Sequence, residues 1–406
     1  MAAGAILKEA KKKAMQNAEP MAGGPSPALQ EKFRVARDGV SNALIERDDD
    51  VHLLYVALIA GDHALLVGEP GTAKSQMIDG MVGTISDAVK FDILMSKFTD
   101  PVETEGPLNV GKLLEGSYTR QNAGYMTQAH VIFMDEVFKA SSAILNTTLK
   151  LINERKYRNG GQWHESPLIS LYGASNEYPV GDGYADVAHA FFDRFLFRKT
   201  VKPVSTQGAR KLMFAADGDL TPPRGGLTVD DVNTARKEAA EIPVASEVPD
   251  ALCDILRLLA EQGIVPGDRR KRKAVKAARA HAWLSGASEL AVEHLDILQH
   301  VLWVDPQEQP RKCAEIVQKA ANPEGHALND LIAQAHEIAT EAQKALDAGK
   351  GDVSKMTQFF VEIKKFKDVA SGLKKLNHKN PKVQQAAEWA IAEIRRLQMS
   401  QAGIDE

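Results

Sequence analysis

Between residues 28 and 46 the apolar positions Leu29, Phe33, Val40 and Leu44 recur at roughly helical spacing. A second helix is predicted over 51–60, with Asp48 to Asp50 placed to cap it. The period then shortens. HALLVG at 63–68, the run at 89–94, VIFMD at 131–135 and LISLYGA at 168–174 are short apolar stretches separated by helical patterns. Short buried strands alternating with helices predict an α/β layered sheet over 27–203. Within it, residues 107–128 carry Gly111, Gly116 and Gly124 around short β-like pieces, more irregular than a simple crossover needs. Arg158-Asn159-Gly160-Gly161-Gln162 signals a hairpin.

Beyond Val204 strand signals vanish, and helical patterns near 228–240, 249–262, 268–285 and 290–304 predict an all-helical domain over 204–320. Thr221-Pro222-Pro223-Arg224-Gly225-Gly226 marks a loop inside it. A last region, 321–406, opens at Asn322-Pro323, an N-cap followed by proline at the first helical position. Leu328, Leu331, Ile332, Ala335, Ile338, Ala342 and Leu346 fall on one face. Val353, Met356, Phe359, Phe360, Ile363, Phe366, Val369, Leu373 and Leu376 do the same on a second helix. Asn380-Pro381 restarts a third through Val383, Ala387, Ile391, Ile394 and Leu397. Residues 1–26, rich in Ala, Lys and Gly and ending Gly-Gly-Pro-Ser-Pro up to 27, read as a flexible tail.

The length, 406 residues, is ample for several domains. Aromatic residues are only 6%, a scarcity that helix-rich folds tolerate best. A formal net charge of −4 excludes polyanion binding by bulk charge, so any basic surface is local. One such stretch is 350–382, where nine lysines face Asp352, Glu362 and Asp368, while Phe359, Phe360 and Phe366 read as core. Cys253 and Cys313 cannot make a disulfide framework and lack zinc spacing, which points to a reducing cytoplasm. The N-terminus meets Lys and Glu before an apolar signal core is built, and the apolar run 53–60 is too short for a membrane span.

Gly68-Glu69-Pro70-Gly71-Thr72-Ala73-Lys74-Ser75 follows a predicted strand and opens a helix, the context of a phosphate loop. Backbone N–H groups at the helix start point at phosphates, Lys74 adds a point charge and the Ser75 hydroxyl suits Mg²⁺. Gln76 continues the same stretch. Ala73 stands where glycine is usual, and an ordinary helical conformation is expected for it. VIFMDE ends an apolar strand in two carboxylates. Asp135 suits Mg²⁺ coordination and Glu136 the polarising of an attacking water, although Asp-Glu after a strand also serves as a helix cap. Asn176 ends the next strand, where it either orients that water or is a turn residue. Arg194 lies between aromatics in Phe191-Phe192-Asp193-Arg194-Phe195, either projecting outward or pairing with Asp193. Asp268-Arg269-Arg270-Lys271-Arg272-Lys273 opens a helix whose charges suit either solvent or a nucleotide.

In this order the phosphate loop, MDE, ASN and DRF resemble an AAA+ ATPase, an αβα nucleotide-binding sandwich with an all-helical lid. The finer text resembles the MoxR family, closest to its RavA branch: FTDPVETEGPL, VIFMDEVFKASSAILNTTLKLINERKYRNGG, ASNEYP, FFDRFLFR, DRRKRKAVKAARAHAWLSG and LQHVLWVD. The resemblance spans about residues 43–305. It implies ATP and Mg²⁺ as ligands, with Gly68, Gly71, Lys74 and Ser75 on phosphates and metal, Asp135 and Glu136 as the second nucleotide motif, and Asn176 as first sensor. Arg194 would be the arginine finger entering a neighbouring subunit. Arg269 would be the lid's second sensor, with Arg270 its rival. Residues 107–128 would be a helix-2 insert at a ring pore, and the assembly a hexamer that remodels a protein client together with a von Willebrand factor A domain partner. The RavA branch also carries a β domain inserted in its helical region, for which 321–406 leaves no room.

Three functions compete at this point. An active ring ATPase that remodels proteins or inserts a metal cofactor uses every motif. A nucleic-acid motor or loader would use the lysines of 350–382. A nucleotide-gated scaffold without turnover is disfavoured by an intact Glu136.

Overall fold

A computed structural model describes residues 24–179, 186–215, 220–321, 323–348, 353–375 and 381–401. The chain divides into two compact units, Met1–Ala314 and Glu315–Glu406. The first begins with α1 (Pro27–Asn42), whose N-cap Ser26 accepts from the Leu29 amide while its own N–H donates to Glu238. Ser26, assigned above to the tail, is thus part of the fold; residues 1–23 lie outside the described residues. Helix α2 (Asp48–Ala60) is buried from Val51 to Ala60 except for the half-buried His52, with Asp48, Asp49 and Asp50 inside its first turn rather than capping it. Carboxylates there still complement the helix dipole.

The sheet is built from β1 (Ala64–Val67), then after α3 (Lys74–Gly83) β2 (Lys90–Leu94), and after the short helices α4 (Pro101–Glu105) and α5 (Val110–Leu114) β3 (Val131–Asp135). Helix α6 (Ser142–Glu154) leads to a hairpin, β4 (Lys156–Asn159) and β5 (Gln162–Glu165), then β6 (Ser170–Ser175), α7 (Asp186–Arg194) and β7 (Phe197–Thr200). The five-stranded sheet has the order β2-β3-β6-β1-β7, and every paired neighbour is parallel. Its central strands are buried from end to end, which is why they read as unbroken apolar runs. Strand β7 was not legible as one because FRKT carries two adjacent basic residues, the buried Arg198 and the half-buried Lys199, directly after the DRF motif. The expected β-like pieces in 107–128 are instead α5, a 3-10 turn at Met126–Gln128 and one isolated bridge between Leu108 and Arg120.

Past α8 (Thr206–Phe214), helices α9 (Val229–Glu241), α10 (Val248–Glu261) and α11 (Asp268–Leu284) complete the first unit, with α11 packed on α2 and α9. The expected α-helix at 290–304 is a 3-10 helix, Val292–His300. Cys313 is buried, which pushes its thiol up to about 12. It lies in α12 (Gln309–Ala321), whose residue 315 opens the second unit.

That unit holds α13 (Pro323–Ala348), α14 (Val353–Lys375) and α15 (Pro381–Gln401) around a core that includes Ala335, Ala342, Phe359, Ile363, Phe366, Ile394 and Leu397. Phe360, expected in the core, is 54% exposed; its neighbour Phe359 takes the inward position. Asn322, Leu376 and Asn380 lie outside the described residues, as do the side chains of Leu328, Ile332, Val353, Met356, Leu373, Val383 and Ala387. Among the described residues no helix is long and apolar enough to cross a membrane.

Candidate functional site

Because β6 lies between β1 and β3, the loops leaving the carboxyl ends of these three strands are neighbours on one edge of the sheet. That edge is where open parallel sheets bind ligands. It brings together the phosphate loop after β1, Asp135 and Glu136 at the end of β3, and Asn176 after β6. Gly68 is required by packing, since a Cβ there would meet the Val201 carbonyl oxygen at 2.3 Å. Gly71 has φ +80°. Ala73 does not adopt the helical conformation expected of it: at φ 64° and ψ 20° it is left-handed. The loop geometry demands what a glycine gives freely, and alanine pays about 1–2 kcal/mol for it.

Lys74 is the centre of the loop. Its Nζ donates to the Gly68 and Glu69 carbonyls at 2.6 and 2.9 Å and to Asn176 Oδ1 at 3.2 Å. Burial lowers its pKa, opposed by Asp135 and Glu136 nearby. A partly desolvated ammonium held only by neutral oxygens gains strongly from an anion, so the residues present fit a phosphate. Asn176 then turns its amide Nδ2 to Glu136 Oε1 at 2.5 Å. Lys74, Asn176 and Glu136 therefore form one chain of contacts from loop to carboxylate. Glu136 itself is left-handed, φ 50° and ψ 42°, and its N–H donates to Asp135 Oδ1 at 2.9 Å. A non-glycine residue in that region stores strain of the kind found at functional sites. Thr72 Oγ1 closes the loop on the Glu69 carbonyl at 2.8 Å, while Glu69, Pro70 and Gln76 are exposed around it. Ser75 and Asp135 offer only oxygen donors, few in number, a set that suits a hexahydrate-derived Mg²⁺.

The arginines are elsewhere. Strand β7 begins at Phe197 beside Ala64, the amino end of β1, so Arg194 sits at the edge opposite the phosphate loop, roughly 13 Å of strand away. Arg194 Nη1 pairs with Asp193 Oδ2 at 3.3 Å, its Nε is buried without a hydrogen-bond partner, and burial followed by the nearby Arg269 lowers its pKa. Arg269 stands beside it and donates to Asn153 Oδ1 at 3.0 Å. Arg269, expected as the lid's second sensor, thus shares the edge of Arg194 in this chain. Arg270, the rival, is a buried clasp that donates to the carbonyls of Asp193, Phe195, Leu196 and Val301 at 2.8 to 3.1 Å. Asp62, buried ahead of β1, pairs with Lys273 and Lys276 and fixes α11 on this edge.

Two contributors escaped sequence reasoning. Lys139, three residues after Glu136, reaches Glu136 Oε1 at 3.3 Å, and that spacing within a tight turn was its only signal. Arg198 is buried, donates to the Phe192, Phe195 and Trp303 carbonyls at 3.0 Å, and lies 3.9 Å over the Phe192 ring. Only its place in the FFDRFLFR stretch set it apart.

Known proteins resemble this chain in sequence and fold. Residues 31–220 match the family described as the MoxR domain in the MoxR-vWA-beta-propeller ternary systems, and residues 247–317 match an AAA lid domain. An uncharacterised protein of Methanocaldococcus jannaschii is 36% identical over 293 residues, 72% of this chain and 77% of the relative. Chaperone MoxR1 of Mycobacterium tuberculosis is 24% identical over 225 residues, 53% of this chain and 55% of the relative. The crystal structure of an ATPase candidate from Cytophaga hutchinsonii superposes with a TM-score of 0.59 at 16% identity, over 78% of this chain and 98% of the other, and so shares the fold. The two family models together cover residues 31–220 and 247–317, and the chain belongs to the MoxR-type AAA+ ATPases.

Proposed function

We propose that this chain hydrolyses ATP in a ring of its own copies, a hexamer by resemblance, and uses the turnover in the cytoplasm to remodel a protein client together with a von Willebrand factor A domain partner. The observation that carries the reading is the split site. The phosphate loop, Asp135, Glu136 and Asn176 occupy one edge of the sheet, and the arginine pair Arg194 and Arg269 occupies the other. A second copy placed edge to edge would bring the two halves to one nucleotide.

In this mechanism the loop amides and Lys74 hold the phosphates, Lys74 exchanging its carbonyl partners for phosphate oxygens. Ser75 and Asp135 would hold Mg²⁺, which neutralises phosphate charge. Glu136 accepts the proton of the attacking water, and Asn176 keeps its carboxylate turned to the γ-phosphate side. A neighbour's Arg194 stabilises charge on the transferred group, with its Arg269 alongside. The von Willebrand factor A domain partner is supported by the matched family's description, which names vWA and β-propeller systems, and the remodelled client by the resemblance alone. The RavA branch rests on the stretches of likeness quoted above. The nucleic-acid reading keeps one observation, the exposed Phe360 on the helix that carries exposed Lys364 and Lys365. Lys374 and Lys375 side chains and Lys379 lie outside the described residues.

The decisive measurement pairs nucleotide binding with steady-state turnover. Glu136→Gln keeps ATP bound and lowers turnover by roughly 10³-fold, whereas Lys74→Ala loses binding. Wild-type turnover in Glu136→Gln protein would remove Glu136 from its role.

A further inference from the structure

Away from the phosphate loop, a cavity of about 360 Å³ opens between residues 105–127, α6 and the β4–β5 hairpin. Its walls are fixed in advance. Asn159, at the end of β4, accepts the Arg120 N–H at 2.8 Å and donates Nδ2 to the Arg120 carbonyl at 3.1 Å and to Asn122 Oδ1 at 3.0 Å. Two segments 39 residues apart are thereby stitched into one wall. The hairpin turn seats against the same segment: Gly160 has φ +59°, and a Cβ there would meet Thr119 Cγ2 at 2.7 Å. Opposite, Gln128 Nε2 donates to the Tyr157 hydroxyl at 2.6 Å.

The charges inside do not balance. Arg120, Lys150, Lys156 and Arg158 line the cavity against a single acid, Glu105. Arg120 is committed to Glu105 at 3.3 Å and to the Gly106 carbonyl at 2.8 Å, and Lys156 pairs with Glu165 at 3.3 Å. Among the described residues neither Lys150 nor Arg158 has a carboxylate partner; the Lys150 ammonium lies 3.9 Å from the Trp163 ring centroid instead. A preformed pocket with two uncompensated cations and the amide of Asn146 is built for carboxylates.

We propose that this cavity binds an acidic peptide segment of the protein that the ring remodels. The inference deepens the remodelling reading and rests on it for the owner of the segment. Single-stranded nucleic acid would also bring anions, but it needs free aromatic faces for its bases. Here one face of Trp163 is covered by Lys150, and Tyr157 is stacked on His164 at 5.4 Å.

The test uses the full chain and fluorescence anisotropy with fluorescein-labelled octaglutamate at low salt. Lys150→Met combined with Arg158→Gln keeps both stems and removes both charges. It is expected to weaken binding about tenfold or more, with an unchanged melting temperature. A control pair on the second unit, Lys364→Met with Lys365→Gln, is expected to leave binding within about twofold. No binding by the wild type, equal losses in the two pairs, or tighter binding of oligothymidylate lost in the cavity variant would each overturn the proposal. ATP turnover, read on the same proteins, separates the two readings: active protein without peptide binding removes the cavity's role alone, and cavity-dependent binding without turnover removes the ATPase reading alone.

Discussion

The two edges of the central sheet differ in what they lack. At the carboxyl edge the central charged and amide groups have partners within the chain: Lys74 on loop carbonyls, Asn176 between Lys74 and Glu136, Lys139 on Glu136. At the amino edge Arg194 keeps a buried Nε without a hydrogen-bond partner, beside Arg269 and with only Asp193 to offset its charge. One edge links its ammonium to its carboxylate through Asn176, and the other holds a guanidinium with an unpartnered buried Nε. A single chain thus carries two polar clusters on opposite edges of its sheet, and the proposed ring would bring one copy's cluster to the other's.

The sharpest way to break the comparison is to remove the cation of the amino edge. Arg194→Ala is expected to bind ATP as the wild type does and to lower turnover by about 10³-fold, the scale of other arginine fingers. Mixing it with Lys74→Ala protein restores part of the activity, because each subunit then lacks a different half. Mixed assemblies, confirmed by native mass spectrometry, that show no rescue would place Arg194 outside the site.

A smaller effect separates the two neighbours on α11. Arg270→Ala strips donors from four carbonyls and one of three cationic partners from Asp193, and should cost about 3 kcal/mol of stability, read as a lower denaturation midpoint. Arg269→Ala touches only the exposed Asn153 side chain and should leave the midpoint within about 0.5 kcal/mol while reducing turnover. Equal midpoints for the two variants would dissolve the distinction between clasp and reagent.

The same contrast explains what could be read from the sequence. The carboxyl edge was legible because its groups sit at ends of short apolar strands, and consecutive residues carry the chemistry: Gly68 to Ser75, then Asp135 and Glu136. The bridging place of Asn176 depends on β6 lying between β1 and β3, and only the strand order shows it. The amino edge is assembled from α7 and α11, whose residues 193 and 270 lie 77 apart in the chain. Adjacent arginines such as Arg269 and Arg270 differ only in the helix face they occupy, and a run of charges hides that face. The left-handed backbone at Ala73 and Glu136 was equally hidden, since neither residue type announces positive φ.

Ala73 gives the smallest and most local test of the carboxyl edge. Its φ of 64° costs an L-residue about 1–2 kcal/mol, and glycine would remove that cost while losing some 0.5–1 kcal/mol through the extra freedom of the unfolded chain. The balance favours Ala73→Gly by up to about 1.5 kcal/mol, a rise of a few degrees at most in the melting temperature of the first unit. Lys74 keeps its carbonyl partners in either variant, so nucleotide affinity should change little. A fall in melting temperature of the same size would mean that the loop relaxes toward an ordinary helical Ala73, and with it that the closed contacts of Lys74 are not the resting state of this edge.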